Sequence, residues 1–130
     1  MTAEPAWLTL DMILAIHDEQ LVAFGGGSGL RDLGLLESAL ARPRNRYHYD
    51  PDCGVFALAA AYGFGIVCNH PFVDGNKRTG LLAMNAFLDL NGWRFDPEQT
   101  DGVHTILALA AGEVEEGVLA RWIERNSGAV

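Results

Sequence analysis

Basic residues are scarce in this sequence of 130 residues. Nine lysines and arginines stand against seventeen aspartates and glutamates, so the formal net charge at pH 7 is −8. A chain of this charge repels nucleic acid unless one face is strongly basic, and we therefore expect no direct binding of DNA or RNA. The cations cluster as Arg42, Arg44 and Arg46 and as Lys77 with Arg78. Two small positive patches suit a small anionic ligand better than a long polyanion.

Cysteines and long apolar runs are also few. The sequence has only two cysteines, Cys53 and Cys68, and a disulfide scaffold normally has more. We interpret the two as reduced thiols of a cytoplasmic protein. The apolar stretch over residues 55–68 is too short to span a bilayer. The first residues show no basic segment followed by an apolar one, which an export signal would have. We therefore expect a cytoplasmic protein that does not span a membrane.

Apolar side chains are abundant, at 49% of the residues, which is enough for the core of one domain over residues 1–130. Helical periodicity recurs and strand signals are almost absent, so the predicted fold class is all-α, a compact helical domain. Thr9 and Asp32 are expected to cap the first two helices, and Pro43 to end the second. The six predicted helices cover residues 10–24, 33–41, 55–68, 76–91, 100–111 and 115–125.

Two segments between helices are predicted to be irregular. Gly25–Gly29 is expected to be a flexible connector, because no strand precedes it and it lacks the Gly-Lys-Ser/Thr ending of a Walker motif. The helical period is lost over residues 42–52. Within that segment, Tyr47–Tyr49 is predicted to be a short extended stretch.

The residues that carry chemistry lie in the sequence His-Pro-Phe-Val-Asp-Gly-Asn-Lys-Arg, from His70 to Arg78. It leads into a predicted helix, whose free N–H groups and positive dipole end bind anions. Lys77 and Arg78 oppose that dipole, a penalty that a bound polyphosphate would reverse. Asp74 could hold Mg²⁺ that bridges phosphate oxygens. His70 is of a residue type that titrates near neutral pH and suits a general base. These parts together predict phosphate transfer.

Each of these residues also has a purely structural explanation. His70 could be an interior histidine, and Asp74 or Asn76 could cap the helix. Lys77 and Arg78 could be solvated surface charges. These explanations leave the unfavourably placed Lys-Arg pair unexplained, so we prefer an active site.

The nine-residue motif resembles the signature of the Fic/Doc superfamily, His-x-Phe-x-Asp/Glu-Gly/Ala-Asn-Gly/Lys-Arg. The resemblance extends over residues 29–43 and to Leu88–Gly92. Within the superfamily, the sequence resembles the death-on-curing (Doc) branch of helical toxins. It implies that His70 accepts the proton of a target Ser, Thr or Tyr hydroxyl. It also assigns the other motif residues: Phe72 would anchor the loop, Asp74 would hold Mg²⁺, Gly75 and Asn76 would form an anion hole, and Lys77 and Arg78 would bind nucleotide phosphates.

The resemblance further implies that the arginine-rich segment is a flap, with Arg44, Arg46 and Tyr47, which aligns a target peptide by strand-like pairing. Self-inhibiting Fic proteins carry Ser/Thr-x-x-x-Glu-Gly/Asn. Here Glu116 precedes a glycine, but Gly112 stands four residues before it. The resemblance therefore implies restraint by a separate antitoxin, a small protein with a disordered C-terminal segment.

Two departures from the adenylylating Fic pattern bear on the reaction. Lys77 stands where those enzymes have glycine, and Leu81 where they have a second arginine. The similar pattern in Doc toxins goes with transfer of the ATP γ-phosphoryl group to elongation factor Tu, so we expect a kinase that uses ATP and Mg²⁺ and inhibits translation. Gly75 is the Fic-like residue and leaves AMP transfer to a protein hydroxyl as the alternative. A catalytically silent module that binds nucleotide or antitoxin is the third interpretation.

Overall fold

The computed structural model describes residues 3–130, and within them the chain forms six α-helices and one small antiparallel sheet. The all-α fold class is therefore confirmed. The elements are α1 (Leu10–Phe24), α2 (Leu33–Tyr49), α3 (Val55–Asn69), α4 (Asn76–Leu90), β1 (Trp93–Phe95), α5 (Gln99–Ala110), α6 (Glu116–Arg125) and β2 (Ser127–Ala129).

The two strands are the elements that the sequence did not indicate. They pair in antiparallel register, with Arg94 opposite Gly128. Each strand has three residues, which is too short for an alternating pattern to be visible.

Helix α3 is the centre of the core and packs against α2, α4 and α6. Its residues are buried on all sides from Leu58 to Val67 except for Phe64, which is partly exposed. Gly65 faces the backbone of α2, where an added Cβ would lie 3.1 Å from the Ala39 Cα atom. Small residues on α3 thus let neighbouring helices approach closely.

The predicted helix starts are confirmed by their caps. The Thr9 hydroxyl accepts a hydrogen bond from the Met12 N–H at 3.2 Å, and the Asp32 carboxylate accepts one from the Leu35 N–H at 3.0 Å. These contacts satisfy N–H groups that have no partner within the helix.

The predicted end of the second helix is wrong. Helix α2 continues through Pro43 to Tyr49, so Tyr47–Tyr49 is helical and not extended. An interior proline costs a helix about 3 kcal/mol, but here its ring is buried. The following turn is fixed on Trp7, since the Tyr47 ring meets it edge-on at 5.7 Å and the Arg44 guanidinium lies 5.3 Å from its centroid. Tertiary packing therefore outweighs the local signal.

The segment before α1 ties the helices together. Ala6 and the Asn91 side chain exchange two hydrogen bonds, at 2.8 and 3.0 Å. The Leu8 N–H donates to the Tyr62 hydroxyl at 2.9 Å, and the Trp7 ring stacks on Phe87. Burial raises the pKa of the Tyr62 phenol above its ordinary value.

Cys53 and Cys68 are free thiols, as predicted, and burial raises the pKa of both. Within residues 3–130, every helix is too short or too polar to cross a membrane.

Candidate active site

The loop between α3 and α4 begins at His70, which adopts a left-handed conformation with φ 56° and ψ 52°. This conformation is uncommon for residues other than glycine and often occurs at functional sites. The Arg31 side chain holds the turn by donating to the His70 carbonyl at 2.7 Å and the Asn69 carbonyl at 3.0 Å. The His70 side chain is exposed, so the interior-histidine explanation is wrong.

Phe72 fixes the middle of the loop in the core, where it is 1% exposed. Its ring stacks on His17 of α1 with the ring centroids 3.8 Å apart. The His17 Nε2 atom lies 2.8 Å from the Asp74 carbonyl oxygen and donates its hydrogen to it. One buried histidine thus contacts the loop at two points, and Phe72 lies where an anchor is expected.

Asn76 connects the two ends of the loop and is almost fully buried. Its Oδ1 atom accepts from the Phe72 N–H, and its Nδ2 atom donates to the Phe72 carbonyl, both at 2.9 Å. These bonds turn the amide N–H toward His70, whose Nδ1 atom is 3.1 Å away. That nitrogen must therefore accept, so neutral His70 carries its proton on Nε2.

Gly75, whose φ is 79°, directly precedes helix α4, and the described residues supply no side-chain cap. The Asp74 carboxylate accepts from the Gly75 N–H at 2.8 Å, outside the helix, so the capping explanations for Asp74 and Asn76 are wrong. The N–H groups of Asn76, Lys77 and Arg78 have no partner within the helix. Free N–H groups at a helix N-terminus are the kind of group that binds anions.

A cavity of about 300 Å³ opens beside this helix end. On one side it is lined by Asp74 and the first turn of α4, including Lys77 and Arg78. The other side is apolar and consists of Leu81, Val103, Ile106 and Leu107. A cavity with cations at one side and aliphatic side chains at the other suits a nucleotide, which has charged phosphates and a flat base.

The glycine-rich connector is part of this site and is more than a flexible link. The Gly27 N–H donates to the Asp74 Oδ2 atom at 3.4 Å. A Cβ atom on Gly26 would lie 2.7 Å from the same oxygen, so only glycine allows this approach. The signal was the run of glycines itself, which sequence reasoning interpreted as flexibility alone.

Residues 3–130 contain no group of three or more side chains that could hold a metal ion by themselves. Asp74 presents a single carboxylate at the cavity. Mg²⁺ is often bound by one carboxylate together with substrate phosphates and waters, so this site fits Mg²⁺ that arrives with a nucleotide.

The predicted flap is wrong in both position and conformation. Arg44, Arg46 and Tyr47 lie on α2, and Arg44 is about 18 Å along the helix axis from Asp32 at the loop. The strand-like pairing next to the loop is made by residues 29–32. The Arg31 and Asp32 N–H groups donate to the Pro71 carbonyl at 2.7 and 3.1 Å, and the Val73 N–H donates to the Gly29 carbonyl at 3.1 Å.

Sequence reasoning missed four supporting residues: His17, Gln20, Phe24 and Arg31. Gln20 is buried and lies so close to Gly75 that an added Cβ atom would collide with its amide. The spacing of residues 17, 20 and 24 is the signal that was available, since it places all three on one face of α1.

Comparison with known proteins gives one family and two informative relatives. The model of the Fic/DOC family matches residues 7–88. The protein kinase Doc of Escherichia phage P1 is 32% identical over 119 residues, which cover 90% of this chain and 92% of the relative. The toxin Doc of Mycolicibacterium smegmatis is 44% identical over 72 residues, 55% of each chain.

Proposed function

Because the chain belongs to the Fic/DOC family, we propose that it is a toxin of a toxin–antitoxin system that transfers the γ-phosphoryl group of ATP to a protein hydroxyl. The observation that carries the proposal is the loop itself. It places His70 at the C-terminal end of α3. Asn76 contacts His70 and thereby keeps it next to the uncapped N-terminus of α4, where Lys77 and Arg78 lie. A base beside an anion site is what phosphoryl transfer to a hydroxyl requires.

The phosphates of ATP bind the free N–H groups at the start of α4, where the helix dipole favours negative charge. Lys77 and Arg78 add charge-assisted hydrogen bonds, which are roughly twice as strong as neutral ones. The Asp74 carboxylate would hold Mg²⁺ that arrives with the nucleotide. When bound, that ion would supply positive charge against the charge that develops on the transferred group.

In the reaction, the target hydroxyl oxygen forms a bond to the γ-phosphorus, the bond to the β–γ bridging oxygen breaks, and ADP leaves. His70 takes up the hydroxyl proton. Because resting His70 carries its proton on Nε2, that proton must move to Nδ1 before Nε2 can accept the hydroxyl proton. Nδ1 then no longer accepts from the Asn76 amide, so this contact must open before the transfer.

Leu81 favours γ-phosphoryl transfer over AMP transfer. It lies in the apolar wall of the cavity, where it offers no hydrogen bond to an outer phosphate. Lys77 and Arg78 therefore hold the phosphate chain close to the loop. We propose a translation factor such as elongation factor Tu as target in the cytoplasm, and a separate antitoxin with a disordered C-terminal segment as inhibitor.

The donor experiment distinguishes the two enzyme interpretations. The protein is incubated with purified elongation factor Tu and ATP labelled at either the α- or the γ-phosphorus. We expect label on the target from γ-labelled ATP alone. Label from α-labelled ATP would instead establish AMP transfer.

The His70→Ala variant tests the general base. We expect transfer to fall by about 10²–10⁴-fold while the dissociation constant for ATP stays within a few-fold of the parent, because His70 precedes the anion site and is not part of it. Transfer at the parental rate would contradict the role of His70 as base. A large loss of ATP binding would make His70 a binding residue.

Expression in cells tests whether the protein acts as a toxin. Production of the chain alone should arrest growth, and co-production of the protein from the neighbouring reading frame should relieve the arrest. His70→Ala at equal abundance is the control. Harmless accumulation of the parent at that level would contradict the proposal.

A further inference from the structure

Arg78 has no carboxylate partner among the described residues, unlike Arg42 and Arg46. Arg42 and Arg46 lie within 4 Å of the carboxylates of Glu116 and Asp50, at 2.6 and 3.7 Å respectively. Among residues 3–130, no carboxylate lies within that distance of Arg78, and none of its N–H groups has a hydrogen-bond acceptor. Its guanidinium instead lies over the Phe24 ring, 3.8 Å from the centroid.

Phe24 is an unusual residue for that place. It is the last residue of α1 and remains 65% exposed, so it contributes little to the core. It continues the α1 face that contacts the loop, since His17 supports Phe72 and Gln20 lies against Gly75. The three side chains thus meet successive parts of the motif from one helix.

We propose that Phe24 is a positioning residue that holds the Arg78 guanidinium ready for ATP phosphates. The ring covers one face of the guanidinium, and cation–π contact is made through that face. The N–H donors lie in the plane of the guanidinium and remain free for a phosphate. A carboxylate partner would occupy those donors, whereas an aromatic ring does not.

The physical gain is preorganisation. A free arginine side chain loses rotamer entropy when it is fixed, and Arg78 is also repelled by the dipole of its own helix. Contact with Phe24 restricts the side chain before the ligand arrives, so less is lost on binding. This proposal rests on the proposed function in one respect, namely that Arg78 binds ATP phosphates.

The test is to measure, by titration calorimetry, the dissociation constant for Mg²⁺–ATP of the full chain and of each variant. The melting temperature of each variant is measured alongside to show that it is folded. Phe24→Ala should bind ATP about two- to fivefold more weakly, the value of an exposed cation–π contact. Phe24→Leu should be weakened to a similar extent, whereas Phe24→Tyr should bind like the parent. Val22→Ala, also on α1 and 90% exposed, is the matched control and should bind normally.

The double variant separates positioning from direct contact with the ligand. In the Arg78→Ala background, Phe24→Ala should cause no further loss of ATP affinity. A further loss of the same size, or parental binding by Phe24→Leu, would overturn the proposal. Parental binding by Phe24→Ala would overturn it while leaving the proposed function intact. Absence of ATP binding by the parent would overturn both.

Discussion

At the scale of single residues, Gly75 is constrained twice. Its φ of 79° lies in the left-handed region, which costs an alanine about 1–2 kcal/mol, and an added Cβ atom would meet the Gln20 amide. Gly75→Ala should therefore lower both the free energy of unfolding and the affinity for ATP. Urea unfolding and calorimetric titration measure the two effects.

The control for this prediction is Gly112→Ala. Gly112 has a φ of 78°, close to that of Gly75, but no atom within 4 Å of an added Cβ, so its substitution should cost only the conformational part. The double variant Gly75→Ala with Gln20→Ala should recover some ATP affinity, because the collision is removed. Equal losses of stability in the two glycine variants would show that the collision with the Gln20 amide adds nothing to the cost of Gly75→Ala.

At the scale of elements, the close contact between α2 and α3 depends on Gly65. Gly65→Ala would place a Cβ atom 3.1 Å from both the Cα and Cβ atoms of Ala39, and overpacking of this kind typically costs about 1–3 kcal/mol. We expect a lower free energy of unfolding in urea, with ATP affinity near the parental value where the protein is folded.

Gly117 provides the matched control, since it is also a helical glycine. An added Cβ there meets only the Arg121 side chain, at 3.9 Å. Gly117→Ala should stabilise the protein by about 0.4–1 kcal/mol, because alanine reduces the conformational entropy of the unfolded chain. A stabilising effect of Gly65→Ala would contradict the close contact between the helices.

The elements that were predictable from the sequence are those with strong local signals. Thr9 and Asp32 cap their helices as expected, and the His70–Arg78 motif joins the end of α3 to the start of α4 as expected. The continuation of α2 through Pro43 was not predictable, because it depends on a contact with Trp7, far away in the sequence. The support of the loop by α1 was missed for the same reason, since side-chain spacing shows a face but not its partner.

At the scale of the whole molecule, the Tyr62 hydroxyl joins α3 to the segment before α1. Tyr62→Phe would leave the Leu8 N–H without its acceptor, which costs about 1–3 kcal/mol for a buried group. Thermal or urea unfolding measures the loss. Tyr49→Phe is the control, because Tyr49 is 90% exposed and should not affect stability.

The same hydroxyl predicts a dependence on pH. Burial raises the pKa of Tyr62 in the folded state, so its contribution is fully present below the unfolded pKa of about 10. It is lost as the pH rises through the folded pKa, since the unfolded chain then ionises more readily. Urea unfolding between pH 8 and pH 11 should show a fall in stability that Tyr62→Phe reduces. An unchanged slope would contradict this assignment.

Because α1 supports the loop, we expect that the chain can be cut into two fragments that are active only together. His17 and the Asp74 carbonyl that it contacts are 57 residues apart in sequence, with the turn at residues 50–54 between them. A cut in that turn would separate α1 and α2 from a fragment that keeps the whole motif. We expect that fragment alone to be inactive and the two pieces mixed together to regain activity. The protein would then serve as a split reporter, in which the fragment with the motif becomes active only when the fragment with α1 binds to it.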